Sequence, residues 1–171
     1  MNSTETILTD IEKKLDSLRK LYLEAKGKVF HPLCQKVFEV LAKEKEKHLE
    51  RIKEIKASMK KGKSWIVDRW LWDVGQGIPN PLTRLSEFSN LPLCTAEELK
   101  WLDETMEKEE KFYHFMDEKV KKALQPLVKR FYLSLAYESR GCYLLLLETK
   151  DCLAHPELWQ QRIEAVFIDG V

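Results

Sequence analysis

From Ile7 the apolar residues recur at Ile11, Leu15, Leu18, Tyr22 and Ala25, with polar residues between them. That spacing of three and four predicts a helix with one apolar face. Gly27 and the His31-Pro32 pair interrupt it, because the residue before a proline is disfavoured in the helical region. Pro32 suits the first turn of a second helix. Its stripe runs through Phe38, Leu41, His48, Ile52 and Ile55 and fades at Lys60-Lys61-Gly62-Lys63. Thr95-Ala96-Glu97-Glu98 is a capping-box pattern opening a third helix. One face of that helix carries Leu99, Leu102, Met106, Glu109, Tyr113, Met116 and Val120. Pro126 opens a fourth helix with Phe131, Leu135, Glu138, Cys142 and Leu145, a break is expected over residues 151–154, and His155-Pro156-Glu157 can start a short final helix.

The pattern thus predicts an all-α chain forming a single domain over residues 1–171. One helical hairpin spans about residues 5–60 and a second spans about 95–150, with a C-terminal segment over 151–171. The crossover of about residues 61–94 is long for a plain loop inside a compact domain. It carries Trp65, Trp70 and Trp72, which either cover the bundle or line a groove for a ligand or partner. The two Pro-initiated helices also repeat one phrase in fixed register. PLCQKVFEVLAKE begins at Pro32 and PLVKRFYLSLAYE at Pro126, 94 residues later.

Composition narrows the function classes. Charged residues make up 33% of the 171 positions, yet the net charge is only +1. A nucleic-acid-binding domain would carry a basic excess, so none is expected. No apolar run approaches the length of about 18 residues that spans a membrane, and no N-terminal segment reads as a signal peptide. The four cysteines (Cys34, Cys94, Cys142 and Cys152) form no CxxC pair, which excludes a zinc ribbon or a rubredoxin-type iron site. A cytoplasmic setting with free thiols is expected. No Ser/His/Asp arrangement, phosphate loop or paired-acid motif points to another enzyme class.

Two hairpins joined by one long crossover is the connectivity of ferritin-like four-helix bundles, and the residues resemble the rubrerythrin branch of that superfamily. In the first half the resemblance rests on Leu21-Tyr22-Leu23-Glu24-Ala25, Pro32, Phe38, Leu41-Ala42, Glu44 and His48. In the second half it rests on Phe115-Met116, Pro126, Tyr132, Leu135-Ala136 and Glu138, and the tail HPELW…VFIDGV is similar to the family's closing segment. The resemblance implies a carboxylate-bridged metal pair. Each half would supply a glutamate from its first helix and a Glu-x-x-His pair from its second.

Carried over residue by residue, the six implied ligand positions hold Leu15, Lys45, His48, Glu109, Ser139 and Cys142. Only His48 and Glu109 match. One carboxylate and one ammonium are a poor complement for two divalent ions, so no cofactor is the expectation, with Lys45 paired to Glu109 across the core. Alternatively His48, Cys142, Glu44 and Glu138 form a single zinc site. A further alternative is an iron site remodelled around Glu12, Glu44, Glu109, Glu138 and His48, giving a rubrerythrin-type oxidoreductase acting on peroxide or ferrous iron. Cys142 could also be a thiol activated by Lys45 or His48, against ordinary apolar packing. The family's habit of associating through helix faces implies a homodimer. The leading reading is therefore a binding or assembly protein built on a bundle with an eroded di-iron site.

Overall fold

Proline and capping chemistry fix where the helices begin. His31 precedes Pro32 in an extended conformation, and its imidazole accepts the Leu33 N–H at 3.2 Å. Thr95 and Glu98 close the expected capping box: the Glu98 N–H donates to Thr95 Oγ1 at 3.2 Å and the Thr95 N–H to Glu98 Oε2 at 2.9 Å. The computed structural model describes residues 3–62, 77–88, 92–157 and 159. These contain four long helices: α1 (Ser3–Lys28), α2 (Pro32–Lys60), α3 (Ala96–Lys122) and α4 (Pro126–Ala154). A short 3-10 stretch, Pro81–Phe88, lies against α2. The described residues include no strand. The segment holding Trp65, Trp70 and Trp72, and the tail from residue 160, lie outside them.

α1 packs on α2 and α3 on α4, and the two hairpins meet through α1 with α3 and α2 with α4. The result is a four-helix bundle. Leu8, Ile11, Leu15, Leu18, Tyr22 and Ala25 bury the inner face of α1, and Leu33, Val37, Phe38, Leu41, Ile52 and Ile55 do so for α2. α3 contributes Leu102, Met106, Phe112, Met116 and Val120; Phe131, Leu135, Leu145 and Leu146 come from α4. Gly62 ends α2 with φ +69°, a left-handed conformation that costs glycine little, and its N–H donates to Met59 O at 3.0 Å.

Two expectations need correction. The expected break at residues 151–154 is absent: α4 runs unbroken through Ala154 because Cys152 is buried on its inner side, and the His155 N–H then caps Asp151 O at 3.0 Å. On α3 the buried aromatic is Phe112, while Tyr113 is only half-buried. Of the final helix, the described part amounts to a turn, in which the Trp159 N–H donates to His155 O at 3.3 Å.

The capping glutamate does a second job. Glu98 Oε1 accepts the N–H groups of Phe30 at 2.8 Å and His31 at 2.6 Å, so the start of α3 is tied to the α1–α2 turn. Burial alone would raise the Glu98 pKa. The donors on Thr95, His31 and Phe30 overcome that and hold it down at about 2.

Candidate functional site

The centre of the bundle is polar, and its polar side chains come from all four helices. Helical periodicity dictates this: Tyr22, Lys45, Glu109 and Ser139 each fall on the inward stripe of their helix. Lys45 is 1% exposed and Glu109 and Tyr22 not at all, so their functional groups must satisfy one another. Lys45 Nζ lies 2.7 Å from Glu109 Oε1, forming the pair expected from the two ligand positions that the resemblance implies. The Tyr22 hydroxyl donates to the same oxygen. On the other side Ser139 Oγ donates to Glu109 Oε2 at 2.7 Å and lies 2.9 Å from the Glu109 main-chain oxygen. Lys45 also donates to Cys142 Sγ at 3.5 Å, and its ammonium stands 5.8 Å from the centre of the Phe112 ring.

Glu109 therefore receives three side-chain donors, one of them cationic, and the cluster is formally neutral. Burial would lower the Lys45 pKa, but the adjoining Cys142 sulfur and Glu109 carboxylate together reverse the sign and hold it above the ordinary value. Burial pushes Cys142 up to about 12 in spite of the neighbouring ammonium. It also raises Tyr22 well above the usual phenol range, and the charge on Glu109 adds to the effect. At neutral pH the site is thus an ammonium–carboxylate pair surrounded by a neutral phenol, a neutral thiol and a hydroxyl. A neutral buried thiol is a poor nucleophile, and burial outweighs the activation considered for Cys142.

One helical turn further along α2, His48 Nε2 makes an ion-pair contact with Glu138 Oε2 on α4. Glu138 also borders a cleft of about 360 Å³, lined in part by Glu44, Asn80, Tyr137 and Glu148. Glu44 itself pairs with Lys47 at 2.7 Å, along its own helix.

The six positions implied by the resemblance can now be tested as a metal site. Leu15 is buried hydrocarbon, Lys45 presents a cation, and Ser139 donates its proton toward Glu109. Both oxygens of the single carboxylate are occupied by these donors. This residue set does not fit a pair of divalent ions. The zinc combination is also not assembled: Cys142 accepts from Lys45, His48 is in ion-pair contact with Glu138, and Glu44 pairs with Lys47. Glu12, needed for the remodelled iron site, is held by Lys56 at 2.5 Å. Among the described residues no three His, Cys, Asp or Glu side chains gather as a metal-binding group.

Sequence reasoning placed Lys45 and Glu109 together but missed Tyr22 and Ser139 as donors. A tyrosine within an otherwise aliphatic stripe is the available signal for the first, since a buried hydroxyl needs a partner. Ser139 carries no such signal, because a small serine on an inner face packs as readily as alanine. Comparison with family models, with curated proteins and with solved structures finds no match to this chain.

Proposed function

We propose that this chain is a rubrerythrin-like, ferritin-fold bundle in which a protein-only ion pair has taken the place of the di-metal centre. It works by binding or assembly, without metal redox chemistry. The observation that carries the reading is the 2.7 Å contact between Lys45 Nζ and Glu109. A cation bonded to the lone ligand-type carboxylate fills the space and neutralises the charge that two metals would need. In this reading the helices, the Pro-started second helix of each hairpin and the polar centre persist as scaffold.

The scaffold assembles as a homodimer in a cytoplasmic setting. Supporting the dimer, Tyr137, Leu144 and Leu147 leave an apolar strip exposed along the outer side of α4. The competing oxidoreductase reading would need Glu12 and Glu44 to abandon Lys56 and Lys47 and turn inward.

Metal analysis of the purified protein after aerobic ferrous loading tests the proposal. Substoichiometric iron and no near-ultraviolet oxo-iron absorption are expected. Two irons per chain would overturn the reading in favour of the oxidoreductase. Light scattering should return the mass of two chains.

A further inference from the structure

Between α1 and α3 the bundle opens into a cleft of about 590 Å³, within the size range of small-molecule sites. Its rim is lysine: Lys14 and Lys20 from α1, Lys108 and Lys111 from α3, against a single lining carboxylate, Glu24. Its floor is hydrocarbon, where Leu18 and Phe112 expose only 5% and 4% of their surface. Helical spacing produces the rim. Lys108 and Lys111 stand three residues apart and share a face of α3, where like charges repel. Lys14 and Lys20 lie six residues apart, so their stems leave α1 about 9 Å from each other along its axis.

The four cations are not equally engaged. Lys20 pairs with Asp16 at 2.7 Å and Lys111 pairs with Glu107, each along its own helix and largely open to solvent. Among the described residues neither Lys14 nor Lys108 has a carboxylate partner. The Lys14 ammonium stands 4.6 Å from the centre of the Phe115 ring, and the Lys119 ammonium stands 5.1 Å from the same centre. Two cations gathered on one ring raise the positive potential at that end of the cleft. A groove lined by one sign of charge over low-dielectric walls concentrates counter-ions.

The ligand class follows from how charge and hydrocarbon are divided. A fatty carboxylate would bring one charge to four lysines and find almost no apolar floor to cover. A chain of linked phosphates brings several charges spread along its length, and lysine is a point-charge donor suited to phosphate. We propose that the α1–α3 cleft binds a small oligophosphate, held by Lys14 and Lys108, with Lys20 and Lys111 leaving their own-helix partners to join. Exposed ion pairs of that kind contribute little, so the exchange costs little. The bound anion also relieves the repulsion between Lys108 and Lys111. No glycine-rich phosphate loop is required, because side-chain ammonium groups replace its cradle of backbone N–H groups. The cleft opens on the outside of the bundle, and the site stands whatever the history of the ion pair at the centre.

Calorimetric titration of the full chain with sodium tripolyphosphate at low ionic strength tests the proposal. Saturable binding at a single site is expected, weakening as salt approaches about 0.15 M, where charges are screened over about 8 Å. Lys14→Ala/Lys108→Ala should weaken binding about tenfold, the combined effect of two exposed charge contacts. Lys53→Ala, at an exposed position of α2, should leave it unchanged. All three lysines are exposed, so the variants should keep native helicity by circular dichroism. In the unsubstituted chain, tripolyphosphate should also shield Lys14 and Lys108 from acetylation, read by peptide mass, while Lys53 stays reactive. ATP should bind with similar affinity, since the phosphate chain is the part recognised, and laurate should not bind. The proposal is overturned by an absence of saturable binding at low salt, by unchanged affinity in the double variant, or by protection spread evenly over the surface lysines. Capture of ATP or laurate without tripolyphosphate would overturn it equally.

Discussion

Lys45 and Glu109 meet at 2.7 Å in the middle of the bundle, one from each hairpin, with almost no surface exposed on either. Removing two charges from water is expensive, and the Coulomb attraction between them roughly offsets that cost without exceeding it by much. The pair is therefore weak evidence for high stability. What it does secure is pairing: each charge requires the other, so the two hairpins are held in one relative register.

Breaking the pair from one side should cost much more than removing both charges. Lys45→Met leaves Glu109 buried with only neutral donors and should lose about 3–5 kcal/mol in denaturant unfolding. The double variant Lys45→Met/Glu109→Leu should recover most of that loss, although Tyr22 and Ser139 are then left without their acceptor. A single-variant loss below about 1 kcal/mol would show that the ammonium is not the compensating group.

Tyr22 gives an alkaline signature. Its pKa is raised in the folded protein, so the folded state holds the phenolic proton more tightly than the unfolded state does. The stability contributed is complete below the ordinary tyrosine value of 10.0 and declines as pH rises beyond it. Tyr22→Phe should remove this alkaline slope and cost about 1.5–3 kcal/mol at neutral pH, the range for a bond to a charged acceptor. Unfolding curves measured across the alkaline range, with and without the substitution, check both effects.

The inner stripes and the capping box at Thr95 are legible in the sequence because each follows from spacing within a helix, and the Lys45–Glu109 pair is legible from the ligand positions that the resemblance implies. The reach of Glu98 to Phe30 and His31 is not legible, since it joins segments more than sixty residues apart. The same limit explains Ser139. Read along the chain it is a lost ligand, while across the bundle it is a donor to Glu109. The end of α4 follows the same limit, because Leu153 and Ala154 are strong helix formers and the burial of Cys152 across the bundle carries the helix past Asp151.

Acid should expose the double role of Glu98. Its carboxyl is held at about 2 in the folded protein against an ordinary value of 4.5. A depressed pKa contributes stability that is complete above the unfolded value and lost as pH falls through the folded one. For Glu98 that window runs from about 4.5 down to about 2, and linkage puts the loss on the order of 3 kcal/mol. Glu98→Gln should flatten this part of the stability–pH profile while lowering stability at pH 7. An unchanged acid slope in the variant would assign the effect to other carboxylates.

The eroded-site reading makes a constructive prediction. Restoring the implied ligands requires four substitutions, Leu15→Glu, Lys45→Glu, Ser139→Glu and Cys142→His, around the retained His48 and Glu109. Intermediate variants should be the least stable. Lys45→Glu alone places two carboxylates against each other with no cation, which should cost several kcal/mol or drive one of them to take up a proton. The fourfold variant should be weakly folded without metal and gain Tm on ferrous addition, because metal bound only by the folded state shifts the unfolding equilibrium. Iron analysis should then return two ions per chain, where the unsubstituted protein returns a substoichiometric amount. A folded fourfold variant whose Tm and iron content ignore the metal would mean that the bundle centre lacks the di-metal geometry, and that the repeated phrase descends from packing alone.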